Sequence, residues 1–184
     1  MTRSLISLGK KQDGVAAIEF ALVAPILMLL FLGVVEITRF VIISQKTEKA
    51  ALTMSDLVAQ SKEISTDDLD ILIQAAGEVM KPLEFNDTGY VIVSSVSRVG
   101  SNAATVNWQY TGGGTWTHSS QIGFQGSAAT LPAGFELDPN EGIIIAEVYF
   151  SFMPLFTDMI LPTNTIYRVG VYKPRLGELT SLGA

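Results

Sequence analysis

The chain has no cysteine, which excludes a disulfide scaffold, a zinc–thiolate site, an iron–sulfur cluster and a thiol nucleophile. Histidine is almost as scarce. The single one, His118, lies in the Gly/Ser/Thr-rich run from Gly112 to Ser120, so a multi-histidine metal centre is ruled out. A Ser-His-Asp triad has one base to draw on and no Gly-x-Ser-x-Gly elbow. His118 therefore reads as an ordinary loop residue. Charge is sparse too: only 16% of residues are Asp, Glu, Lys or Arg, and the net charge is −6 with no basic stripe. That balance argues against nucleic acid, whose phosphates demand a Lys/Arg surplus on one face. With 48% hydrophobic residues the chain is not disordered. Its 184 residues suit one domain, two at most.

What is present is apolar and gathered at one end. From Phe20 to Val35 there is no charged or polar side chain, and the run is bounded by Glu19 and Glu36. A bilayer span takes about 20 residues at ~1.5 Å each, so a span over 15–43 holds Glu19, Glu36 and Arg39 within or near its edges. Glu36 and Arg39 sit three apart on one helical face, where an ion pair lowers the cost of both. Ahead of the run, Arg3, Lys10 and Lys11 stand against Asp13, so the short leader belongs in the cytoplasm and the rest outside. The apolar core is too long for an ordinary secretory signal. It also continues as helix: Ala50, Met54, Leu57 and Val58 form a stripe, and no Pro or Gly interrupts from Val34 to Lys62. Pro25 cannot donate to the carbonyl of Ala21, so a helix kink or local loosening is expected there, with Gly33 a second soft point.

A carboxylate at the margin of an apolar helix suggests pairing with a specific cation. That residue is Glu19, and Lys10-Lys11-Gln12-Asp13-Gly14-Val15-Ala16-Ala17-Ile18-Glu19-Phe20 resembles the processing site of type IV-like prepilins. More closely, Gly14 through Pro25, followed by Gly33-Val34-Val35-Glu36-Ile37-Thr38-Arg39, is similar to the TadE-like pseudopilins of the tight-adherence (Flp) pilus system. Phe20 and the large downstream region favour a minor pilin over the fibre subunit. Val148 to Phe156 and Tyr172-Lys173-Pro174-Arg175 look more loosely like the C-terminal region of that family. The resemblance implies cleavage between Gly14 and Val15 by a prepilin peptidase. The new α-amino group of Val15 would then pair with Glu19 of its own or a neighbouring chain during assembly. The alternative is an uncleaved single-span anchor whose Glu19 lies among headgroups beside Lys10 and Lys11. Loss of residues 1–14 would move the net charge from −6 to −8.

Downstream, Ser65-Thr66-Asp67-Asp68 reads as a helix N-cap with acids in the first turn, ahead of Leu69, Leu72, Ile73, Ala76 and Met80 at helical spacing. Asp67, Asp68 and Asp70 lack the alternation of a calcium loop. Beyond Gly89 the period becomes two. Tyr90–Arg98, Ala104–Thr111, Ile143–Phe152 and Ile166–Lys173 read as strands. The polar stretch from Gly112 to Asn140 reads as a contact surface or a mobile loop. Asp138-Pro139-Asn140-Glu141 reads as a turn with a weaker resemblance to a cation site. The apolar segment Pro154 to Pro162 is either a core-covering loop or a partner-binding patch.

The expected architecture is α+β: a leader at 1–14, a long helix at 15–62 and an exported domain at 63–184 with an antiparallel sheet of about four strands packed on the helix. The expected function is that of a minor pilin without catalysis, cofactor or metal. Its partners would be the prepilin peptidase, other pilus subunits and minor pilins, the inner-membrane assembly platform and the lipid bilayer. It would sit in the inner membrane with its C-terminal domain in the periplasm, and after assembly in the pilus. The rivals are an uncleaved, membrane-anchored periplasmic binding or sensor protein, and an anchored hydrolase using Asp138, Glu141 and Glu147.

Overall fold

The computed structural model describes residues 11–132, 134–156 and 162–183. Most of the leader, residues 1–10, and residues 157–161 of the apolar segment lie outside this description. Two helices, a short helical turn and four strands follow one another: α1 (Lys11–Ala59), α2 (Thr66–Met80), α3 (Phe85–Thr88), β1 (Gly89–Ser97), β2 (Thr105–Gly113), β3 (Gly142–Phe152) and β4 (Asn164–Tyr172). The chain divides into two compact units, one of residues 1–39 with 154–162 and the other of 40–153 with 163–184.

In the larger unit the sheet has the order β2-β1-β3-β4 and is antiparallel throughout. β1 and β3 are central and buried along almost their whole length. One face carries Val91, Val93, Ala146, Val148 and Phe152, and the helices cover it. Residues 43–59 of α1 bury Ile43, Thr47, Ala50, Ala51, Met54, Ser55 and Val58, a helical spacing that lays one stripe on the sheet. A large apolar side chain buried this way contributes ~1.5–3 kcal/mol, so Met54 and Val58 matter more than any surface pair on this helix. Phe40 meets Phe152 edge to face at 5.3 Å, and Arg168 donates to the hydroxyl of Ser44. Gly170 on β4 lets the helix come close: a Cβ there would lie 2.3 Å from the carbonyl oxygen of Ala51.

α2 covers the β2 side of the same face. Its start is a capping box: the Ser65 hydroxyl accepts from the Asp68 N–H, and the Asp68 carboxylate accepts from the Ser65 N–H. Leu69, Ile73, Ala76 and Met80 point inward. Ile73 fits against Gly112, where a Cβ would stand 2.7 Å from its Cδ1. Tyr110 donates to Asp70 at 2.6 Å, and that bond holds the phenol pKa above its ordinary value. α1 ends at Ala59 rather than at Lys62, and the Ala59 carbonyl is taken by the N–H of Arg175.

The opposite face of the sheet is covered by the stretch from Gly114 to Asn140, a packing role that the sequence reading did not include. Ile122 and Leu137 are buried with Val96, Val106, Ile143 and Ile145 in a second core. Backbone bonds from Ala129 to Ala104, Val106 to Ser127 and Thr130 to Ile122 bind the stretch to β2 and to itself. Polar composition hid this because few apolar anchors suffice when the loop satisfies its own backbone.

Candidate functional site

The helix residues singled out above lie in the smaller unit. α1 starts upstream of Gly14, so the Gly14–Val15 peptide bond is inside a helical turn, and Glu19 lies one turn beyond it. Val15, Glu19 and Phe20 are exposed, with Phe20 at 69%. The helix continues through Pro25 and Gly33. From Val15 to Ile37 it displays large apolar side chains, among them Leu22, Ile26, Leu29, Leu30, Phe31 and Val34. An apolar surface of this extent in water exceeds what a soluble monomer tolerates, at roughly 25 cal/mol for each Å² left wet. α1 is long and apolar enough to cross a membrane.

At the end of the uncharged run, Glu36 is fully buried and paired with Arg39 at 2.9 Å. The backbone N–H of Leu155 donates to both oxygens of the same carboxylate, at 3.1 and 3.2 Å. A segment 119 residues away is thus fixed to the helix. Leu155 and Phe156 are themselves 62% and 46% exposed. Among the described residues, this part of the apolar segment does not serve as a core cover.

In the larger unit, Glu147 is fully buried in β3. Its carboxylate accepts from the Ser120 hydroxyl, the Gln121 N–H at 2.8 Å, Tyr167 at 3.1 Å and Tyr149 at 3.3 Å. Tyr149 also lies 3.0 Å from the Ser119 carbonyl. Burial, then the nearby carboxylate, raises the pKa of both phenols. His118 stacks on Tyr149 at 4.5 Å and 7°. The group reads as an anchor: a carboxylate surrounded by donors, several from the covering loop, holds that loop to the sheet. One charge inside an otherwise uncharged, mostly apolar run from Ile143 to Phe152 was the signal for it in the sequence.

Of the other carboxylates in the hydrolase reading, that of Glu141 is engaged in a turn. Glu141 pairs with Lys173 at 2.7 Å and accepts from the Asp138 N–H at 3.2 Å, closing a turn in which Asn140 has φ 63°. The Lys173 bond holds the Glu141 carboxyl below its ordinary value. Among the described residues no group of three or more acidic, histidine or cysteine side chains is placed to hold a metal.

An α+β unit with a four-stranded antiparallel sheet, joined to a long N-terminal helix whose apolar side chains are exposed and which is long enough to cross a membrane, defines the class by its architecture. Residues 14–53 match the family model of TadE-like protein, so that segment is similar to this family. The match covers Gly14, Val15, Glu19, Phe20, Pro25, Glu36 and Arg39. No curated protein and no solved structure matches the chain. The family points to the Tad pilus system and to other pilus components as partners.

Proposed function

We propose that the chain is a minor pilin of a tight-adherence pilus, made as a membrane precursor with its N-terminus in the cytoplasm and cut between Gly14 and Val15. The observation that carries this reading is the Gly14-to-Glu19 spacing at the head of a 49-residue helix whose exposed first half is apolar. The prepilin peptidase cuts the leader, Glu19 pairs with the new terminus of Val15, and Phe20 and Pro25 complete the motif. The apolar helix then moves from the inner membrane into the pilus among other subunits, guided by the assembly platform. The α+β unit lies in the periplasm and afterwards at the cell surface, where it contacts other pilus components. The role is structural, in assembly, initiation or adhesion, and involves no reaction or cofactor.

Intact mass of the protein from membranes, compared between cells with and without the prepilin peptidase, tests the processing step. Peptidase-dependent loss of residues 1–14 is expected. A full-length mass in both strains overturns it and leaves an uncleaved anchor.

A further inference from the structure

Two features of the smaller unit are not used by a processed helix alone: the burial of Glu36, and the pinning of an exposed apolar segment to it. We propose that Leu155 and Phe156 form a second membrane contact, inserted in the outer interfacial layer of the bilayer beside the point where α1 leaves it. This rests on the reading of α1 as a membrane helix.

Glu36 is the first ionisable residue after Val35, so it marks the level where the helix emerges from hydrocarbon. The Leu155 backbone is held to that carboxylate, which puts Leu155 and Phe156 at the same level. At this level of the helix Val34 and Ile37 are exposed and apolar as well. Part of the polar chemistry is already met: Pro154 has no N–H, the N–H of Leu155 is taken by Glu36, and the Glu36 charge is met by Arg39. Phe and Leu are among the side chains that peripheral segments bury at the boundary between headgroups and acyl chains. The chain is acidic, so attraction to anionic headgroups does not drive the contact and apolar insertion does.

The absence of cysteine permits single-site spin labelling of the whole chain. Leu155→Cys and Phe156→Cys, each at an exposed position, are reconstituted in phosphatidylethanolamine–phosphatidylglycerol vesicles. Leu29→Cys reports the membrane helix and Val99→Cys, exposed in the larger unit, reports water. Accessibility to oxygen and to a water-soluble nickel chelate is then measured. Labels at 155 and 156 are expected to favour oxygen, intermediate between those at 29 and 99, and to shift toward the value at 99 when Glu36→Gln is added. Labels at 155 and 156 matching 99, with 29 in lipid, overturn the proposal and leave the anchor standing. Low accessibility to both reagents indicates a protein neighbour and also overturns it. A label at 29 in water removes the membrane reading itself.

Discussion

Glu147 and the donors around it make the sheet's second face depend on one side chain. Glu147→Ala leaves Ser120, Tyr167 and the Gln121 N–H without their acceptor, and is expected to lower unfolding free energy by about 3 kcal/mol. Glu147→Gln, which keeps one acceptor oxygen, is expected to cost about half as much. Denaturant unfolding of the full chain in detergent checks both, and equal stability of all three proteins would contradict the anchor role. The phenols supply an independent readout. Their folded pKa values are raised, so the stability they contribute is complete below the ordinary phenol value of about 10 and is lost as pH rises beyond it. In Glu147→Gln the ultraviolet titration of Tyr149 and Tyr167 is expected to begin at lower pH, because the neighbouring charge is gone.

The start of α2 and the four strands followed from side-chain chemistry to within a few residues, whereas α1 begins and ends earlier than expected and the short α3 had no expectation. Ser65 with Asp68 defines a helix start by itself, and the alternation through Val106, Trp108 and Tyr110 defines a strand. Ser65→Ala is expected to cost ~1 kcal/mol, measured by thermal unfolding. Its hydroxyl is the first cause of the lowered Asp68 pKa, with the Ser65 N–H second. A depressed carboxyl contributes stability above its unfolded pKa and loses it as pH falls through the folded one. In Ser65→Ala the Asp68 carboxyl is therefore expected to titrate closer to its ordinary value by NMR. Gly170 carries a different kind of information. In the sequence it is only a glycine in a β-branched run, whereas in the fold it is where α1 touches β4. Gly170→Ala forces the Ala51 carbonyl away and is expected to destabilise by about 2–3 kcal/mol in the same unfolding assay.

For the molecule as a whole, the apolar end and the change of period at Gly89 were enough to read an α+β protein with a long apolar N-terminal helix. Less of the tertiary arrangement could be read. Gly/Ser/Thr composition is the same whether a loop floats or lies on a sheet, so the cover formed by 114–140 was missed. The Leu155–Glu36 contact joins residues 119 apart and has no local pattern at either end. Carbonate extraction tests the anchoring: the chain is expected to stay with the membrane pellet, and Leu29→Arg with Leu30→Arg is expected to release it.

α1 begins before Gly14, and that has an electrostatic consequence for processing. Cutting inside a helical turn strips the first amides of the shortened helix of their carbonyl partners and adds an ammonium at its positive end. The peptide dipoles oppose that charge, by typically 0.3–1 kcal/mol in water and more in a poorly solvated bundle. A carboxylate four residues along, one turn into the shortened helix, would restore the balance. Glu19 holds that position, so if the proposed cut is made, the residue that is costly at the edge of a lipid span would become favourable in the shortened helix.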